Sequence, residues 1–211
     1  MKDMKDTKSV ILLGLLTAVV ALFSLTPIGS IPVGPLVITL NVIPVAIAAV
    51  ALGPAGGAII GGVFGLFSFL QCIGIGTPSL MGIALLEETD SPLLCFIQRF
   101  VPRMLDGLFI GFIFRILSKK ADVRIACAIT GFCAALFNTI MFMSSLVIIF
   151  GSTEYMKNSM AGKGFLAYIV ASISMNAIFE MIAATVVTGA VGYALYKAKL
   201  ITIKTSKVQA R

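Results

Sequence analysis

Three charged residues share one helical face within a long apolar run of this sequence. Arg99, Arg103 and Asp106 lie at positions i, i+4 and i+7, a spacing that brings side chains close to one face of an α-helix. The planar guanidinium group of arginine matches a carboxylate through two parallel N–H donors. Two interpretations follow: Arg103 pairs with Asp106 while Arg99 extends to an aqueous surface, or at least one arginine binds an anionic ligand.

Amide and acidic side chains in other apolar runs extend this set. Asn176 and Glu180 are four residues apart, and Asn41 and Asn138 stand in two further runs. A polar group in hydrocarbon is costly unless it faces a protein interior or a wet cavity. We favour a ligand-binding or gating role for Asn176 and Glu180, whereas for Asn41 and Asn138 interhelical hydrogen bonding is an equal alternative. The candidate substrate-binding residues are Asn41, Arg99, Arg103, Asn138, Asn176 and Glu180.

The composition predicts that lipid surrounds these runs. Hydrophobic residues make up 59% of the 211 residues and charged residues 12%, whereas soluble domains average about 45–50% and about 25%. A membrane-spanning helix needs about 20 apolar residues, so the chain has room for six spans in one integral membrane domain, residues 1–211. We predict an all-α bundle of six transmembrane helices at about 9–26, 36–52, 55–72, 93–117, 123–150 and 165–196.

The segments between these spans predict the topology. A Pro/Gly-rich turn follows the first span, and Gly53-Pro54 marks a tight reversal between the second and third. Most lysines and arginines lie at both chain ends and in the loop near residues 115–124, whereas the opposite loops carry only Lys157 and Lys163 among basic residues. This asymmetry makes the first side cytoplasmic by the positive-inside rule. Both termini are thus predicted inside. The two long loops, 73–92 and 151–164, are predicted outside, and the first has room for a short interfacial helix and is long enough to act as a lid.

Small residues form two stripes. Glycines recur every fourth residue at the start of the third span, and in lipid such a stripe lets two helix backbones approach closely. We favour packing within this protein over ligand contact for Gly53, Gly57, Gly61 and Gly65. The first span carries a second small face, which packs either inside the bundle or against a partner subunit. Its members proposed to touch a partner are Gly14, Ala18 and Ala21.

Motifs for autonomous chemistry are missing from the sequence. There is no histidine, no phosphate-binding loop of the GxxxxGK[ST] type, no nucleophile elbow and no chain of intramembrane carboxylates. The four cysteines lack zinc-ligand spacing and are interpreted as small buried residues. The sequence therefore predicts no enzyme activity, no metal and no cofactor, and the net charge of +7 fits membrane topology better than nucleic-acid binding.

Several strings together resemble the substrate-binding S components of energy-coupling factor (ECF) vitamin transporters. They are LLGLLTAVVALFS, then ITLNVIPVAIAAVALGPAGGAIIGGVFGLFSFL, FVPRMLDGLFIGFIFRIL and SMNAIFEMIAATVV, in that order along nearly the whole chain. The resemblance implies a bacterial, multi-pass cell-membrane protein that binds one vitamin near its outer face. It also implies association with a transmembrane coupling subunit and two cytoplasmic ATPases, and toppling of the whole subunit in the membrane to deliver the vitamin.

Within that family, the Pro-Arg-Met-Leu-Asp-Gly and Asn-Val-Ile-Pro-Val segments look most like pantothenate-specific members. A site for pantothenate, or for riboflavin or another vitamin as the alternative, is therefore expected. An alternative from another class is a self-sufficient ion-coupled carrier or channel in which Glu180 titrates, because a buried carboxylate can change protonation as its partners move.

Overall fold

Long helices account for most of the chain in the computed structural model, which describes residues 6–33, 36–162, 164, 166, 167, 170 and 175–201. A 3-10 turn at Pro27–Gly29 leads into strands β1, Ser30–Val33, and β2, Leu36–Thr39. The helices in the described residues are α1 Thr7–Leu25, α2 Val42–Cys72, α3 Leu80–Thr89, α4 Pro92–Lys120, α5 Val123–Phe150, α6 Glu154–Met160 and α7 Met175–Lys197.

A short β-hairpin corrects the predicted start of the second helical segment at residue 36. Strands β1 and β2 pair antiparallel, with Ser30 opposite Thr39 and Val33 opposite Leu36, and helix α2 begins only at Val42. An apolar run by itself does not distinguish a buried strand from a helix. The β-branched residues at positions 37–39 favour the extended backbone, so the apolar run divides into a strand and a helix.

Helix α2 contains the predicted reversal. Gly53 has φ 76° and ψ −163°, which is not helical, and Pro54 follows it. A Cβ atom placed on Gly57 would lie 3.1 Å from the Cβ of Ala49, although residues eight apart in a straight helix are about 12 Å apart. The chain therefore folds back on itself at Gly53, where glycine tolerates the positive φ angle.

Two hydrophobic clusters define the two ends of the bundle. At one end the N-terminal parts of α1 and α5 meet the C-terminal parts of α4 and α7, around Phe114, Val123 and Cys127. This basic end carries Lys8, Lys119, Lys120, Arg124 and Lys197. At the other end α3 and α6 pack on the start of α4 and the end of α5, around Leu85, Leu146 and Met156. This acidic end carries Glu87, Glu88, Asp90 and Glu154, together with Lys157.

Four of the described helices are long and apolar enough to cross a membrane: α1, α2, α5 and the part of α7 from Ala177 to Lys197. Helix α2 includes the second and third predicted segments, joined at Gly53. Helix α4 covers the fourth predicted segment but contains several charged residues. The predicted sixth segment starts at 165, and part of 165–174 lies outside the described residues. Six crossings with both termini inside therefore stay a prediction.

Candidate functional site

A glycine seam holds α4 directly against α2. A Cβ atom on Gly57 would collide with the backbone carbonyl of Gly107, and one on Gly61 would collide with the carbonyl of Arg103. A Cβ on Gly65 would lie 2.7 Å from the Cα of Phe100. Gly57, Gly61 and Gly65 thus pack within the protein, as predicted, whereas a Cβ on Gly53, at the reversal, would have no described atom within 4 Å. The seam also fixes the α4 backbone at the residues that carry the two candidate arginines.

Arg103 is buried among aromatic rings. Its side chain is 6% exposed, and its guanidinium carbon lies 4.4 Å from the ring centre of Phe64 and 4.5 Å from that of Phe142. Both distances are within the range of favourable cation–π contact. The Nη1 group donates to the carbonyl of Arg99 at 3.1 Å, while Nε has no hydrogen-bond partner among the described residues. The rings hold the guanidinium in place and leave N–H groups able to bind an anion.

Arg99 lies one turn earlier on α4, beneath helix α3. It is 6% exposed, its Nη2 donates to the hydroxyl of Ser79 at 3.4 Å, and its guanidinium carbon lies 5.1 Å from the ring centre of Phe142. A Cβ on Gly82 would come within 2.9 Å of its Nη2, so α3 lies against this side chain. Arg99 is close enough to Arg103 to repel it electrostatically. A bound anion between or beside them would relieve that repulsion.

Asp106 does not form the hydrogen-bonded pair with Arg103 that one interpretation predicted. Its carboxylate is buried, and its Oδ1 atom has no hydrogen-bond partner within the part of the chain that the structure describes. Arg103 attracts this carboxylate electrostatically without a direct hydrogen bond. Asp106 therefore does not occupy the N–H groups of Arg103. The ligand-binding interpretation requires these groups to be available.

Glu180 links helix α7 to the end of the hairpin. Its Oε1 atom accepts from the backbone N–H of Thr39 at 2.5 Å and from the Thr39 hydroxyl at 3.1 Å. The carboxylate is 7% exposed and interacts electrostatically with Arg103. The structure thus brings Glu180 into the neighbourhood of Arg103, with the hairpin end attached to it.

The three candidate asparagines differ in what the structure shows. Asn41 follows Thr39 by two residues, a reach of at most about 7 Å along the backbone. Its Nδ2 donates to the hydroxyl of Ser24 at 3.1 Å, and its buried Oδ1 has no partner in the described ranges. Asn138 is 8% exposed and lies one turn before Phe142, on the same face of α5. The side chain of Asn176 lies outside the described residues, so its convergence with Glu180 is not seen.

The small face of α1 points out of the bundle. Gly14 and Ala18 are exposed and Ala21 is half-buried, and no described atom lies within 4 Å of a Cβ placed on Gly14. The buried face of the helix is formed instead by Ser9, Leu16, Val20 and Ser24. The face is thus available to a partner or to lipid.

Known proteins resemble this chain over most of its length. Residues 8–192 match the family described as the substrate-specific component of ECF transporters. The chain belongs to this family. One crystal structure, that of the S component for biotin from an ECF-type ABC transporter, superimposes with a TM-score of 0.59 at 18% identity, covering 93% of this chain and 95% of that one. The present chain is accordingly a membrane-embedded bacterial transporter subunit with the S-component fold, as the sequence resemblance implied.

Two relatives of this S component are named for a substrate. The pantothenate transporter PanT of Leuconostoc mesenteroides subsp. mesenteroides is 31% identical over 197 residues, covering 90% of this chain and 92% of its own. The pantothenic acid transporter PanT of Lactococcus lactis subsp. cremoris is 32% identical over 174 residues, covering 80% and 81%.

Sequence reasoning missed several residues that shape the candidate site of this S component. Phe64 and Phe142 contact the arginines, Ser79 caps α3 and accepts from Arg99, and Thr39 engages Glu180. The chain has 15 phenylalanines, and no spacing separates these two from the others. Ser79 could have been predicted as the start of a helix, because a serine directly before an apolar run is a typical N-cap residue.

Proposed function

We propose that the chain is the high-affinity pantothenate-binding subunit of an ATP-driven ECF importer. The supporting observation is the buried Arg103 guanidinium, held between Phe64 and Phe142 beside Arg99 with a donor atom left unused. Two relatives that cover most of the chain are named as pantothenate transporters. In this proposal the chain forms one multi-pass domain of the bacterial cell membrane, with six crossings and both termini cytoplasmic.

The chemistry of pantothenate fits the polar groups of the site. The vitamin has one carboxylate, an amide and hydroxyl groups, so it needs one cation and several neutral hydrogen-bonding partners. Arg103 supplies the cation, with Arg99 as the second candidate, because a guanidinium holds a carboxylate through parallel charge-assisted bonds. Asn41, Asn138 and Asn176 are the proposed partners of the amide and hydroxyls. Glu180 keeps the Thr39 end of the hairpin in place beside them.

Titration of pantothenate into the purified subunit tests this proposal directly. Tight binding without the coupling proteins is expected, and uptake into vesicles should require both the coupling subunit and ATP. Tight riboflavin binding without pantothenate binding would move the chain to the alternative substrate. Concentrative uptake by this chain alone under an imposed proton gradient would instead support the ion-coupled carrier in which Glu180 titrates.

Helix α3 is the proposed lid over the site, and Glu88 fastens it to α6. The Glu88 carboxylate accepts from the backbone N–H of Glu154 at 2.5 Å and from that of Tyr155 at 3.1 Å. A carboxylate at a helix N-terminus satisfies unpaired N–H groups and is favoured by the helix dipole. The contact joins the two long loops of the acidic end.

Replacing Glu88 by alanine should release this lid. We expect pantothenate to dissociate about five-fold faster, the size of effect expected from loss of a helix N-terminal cap, with a smaller change in association. Stopped-flow measurement of dissociation from the detergent-solubilised subunit checks this. Glu87→Ala is the matched control, because Glu87 is an exposed neighbour on the same helix. Equal rates in both variants and the unmodified protein would show that the contact does not control release.

The exposed small face of α1 is the proposed contact with the coupling subunit. Ala18→Trp should reduce assembly with that subunit at least ten-fold, because a bulky ring prevents close helix approach, while pantothenate binding by the isolated chain stays within about two-fold. Co-purification with tagged coupling proteins measures assembly, and Ile148→Trp, on an exposed part of α5, is the control. Lost vitamin binding with normal assembly would place the face inside the bundle.

A further inference from the structure

A groove on the surface of the bundle, between α5 and α7, lies at the basic end and away from the candidate vitamin site. It has a volume of about 550 Å³ and is lined by Ala128, Thr185, Val186, Gly189 and Ala190, with Arg124 and Tyr193 at one end. Gly189 and Ala128 face each other across the groove, where a Cβ added to Gly189 would lie 3.4 Å from the Cβ of Ala128, an ordinary contact distance. Small residues therefore form a furrow between two apolar helices.

A cationic and aromatic cluster closes one end of the groove. The Nη2 group of Arg124 donates to the hydroxyl of Tyr193 at 2.7 Å, and its guanidinium carbon lies 4.3 Å from the centre of that ring. The Lys197 ammonium lies 5.7 Å from the same ring. Arg124 has five N–H donors, so several stay available to a ligand.

The charge at this point is positive even with the nearest acid included. The Asp122 carboxylate accepts from the backbone N–H of Arg124 at 2.8 Å and offsets part of the charge. Lys197 adds a second cation at the cluster, and Lys119, Lys120 and Lys199 stand at the same end of the helices. An anion is thus the ligand charge that complements this end of the groove.

We propose that this groove binds an anionic phospholipid, with its phosphate on Arg124 and Lys197 and one acyl chain along the furrow. A guanidinium matches phosphate oxygens through its fork of donors. Basic pockets between membrane helices near the headgroup level suit anionic lipid headgroups. The apolar furrow explains why the ligand is a lipid: a free phosphate would use only the Arg124 end. This inference rests on the chain being membrane-embedded and is independent of its vitamin.

Retention of lipid by variants tests the proposal. The 211-residue subunit is reconstituted in nanodiscs of phosphatidylglycerol and phosphatidylcholine and extracted in mild detergent. Native mass spectrometry then measures how many lipids each subunit retains. We expect one retained phosphatidylglycerol, and at least five-fold less retention in Arg124→Gln. Arg115→Gln is the matched control, since Arg115 is also an exposed arginine near an aromatic ring, 5.8 Å from Phe112, at the same end but outside the groove. Its retention should be unchanged.

A bulky side chain placed in the furrow tests whether the bound ligand is a lipid rather than another anion. Ala190 lines the groove and is exposed, so Ala190→Trp should fold, show an unchanged thermal midpoint and lose retained phosphatidylglycerol with Arg124 intact. Soluble glycerol phosphate should not displace the lipid. Equal losses in Arg124→Gln and Arg115→Gln, or full displacement by glycerol phosphate, would overturn the proposal. So would an Ala190→Trp variant that keeps its lipid but fails to assemble with the coupling subunit.

Discussion

Replacing Arg103 by alanine should weaken pantothenate binding roughly 30-fold or more. The loss of one partner of a buried charge pair typically costs about 2–5 kcal/mol, in part because the other charge is left unpaired, and each 1.4 kcal/mol is about tenfold in affinity. Arg103 is 6% exposed and touches two aromatic rings, so water cannot easily replace its guanidinium. Isothermal titration calorimetry on the detergent-solubilised variant measures the change.

Two further substitutions make this prediction specific to carboxylate binding. Arg103→Lys should recover only part of the affinity, because an ammonium is a point charge without the planar fork of guanidinium. Arg115→Ala should leave affinity unchanged, since Arg115 is exposed at the other end of α4. Pantothenol, in which a hydroxyl replaces the carboxylate, should lose much less affinity than pantothenate when Arg103 is removed. Unchanged pantothenate affinity in both Arg99→Ala and Arg103→Ala would exclude the arginine clamp.

Periodic features of the sequence predicted the parts of the fold that depend on local spacing. The apolar run at 123–150 has the same bounds as α5, and Gly53-Pro54 marks the reversal inside α2. The i, i+4 spacing placed Arg99 and Arg103 on one face. These features follow from helix geometry, which acts over a few residues. They identify candidate groups without showing what lies opposite them.

Contacts between distant segments could not be predicted in this way. Thr39 and Glu180 are 141 positions apart, and the rings of Phe64 and Phe142 come from α2 and α5 to the same guanidinium. Tertiary packing decides these contacts, and no local pattern encodes them. The hairpin was missed for a related reason, since β-branched residues at 37–39 continue the apolar run that precedes α2. Their pairing with β1 depends on a partner strand.

The glycine seam between α2 and α4 gives the second large expected effect, because it couples helix packing to the site. Gly57→Ala should lower the thermal unfolding midpoint in detergent by roughly 2–12 °C, since overpacking costs about 1–3 kcal/mol and each kcal/mol shifts the midpoint of a chain of this size by about 2–4 °C. The added methyl group would collide with the Gly107 carbonyl. Backbone atoms cannot swing aside as a flexible side chain can, so the two helices must separate.

Gly61→Ala tests the coupling itself, because its added Cβ would collide with the carbonyl of Arg103. We expect this variant to lose at least ten-fold in pantothenate affinity, measured well below its unfolding midpoint, since a displaced α4 backbone moves the guanidinium away from its two rings. Gly14→Ala is the matched control: no described atom lies within 4 Å of that Cβ, and alanine favours a helix over glycine by about 1 kcal/mol. Its midpoint and affinity should hold or rise slightly. If Gly61→Ala instead lowers the midpoint while affinity stays unchanged, the seam supports the fold without positioning Arg103.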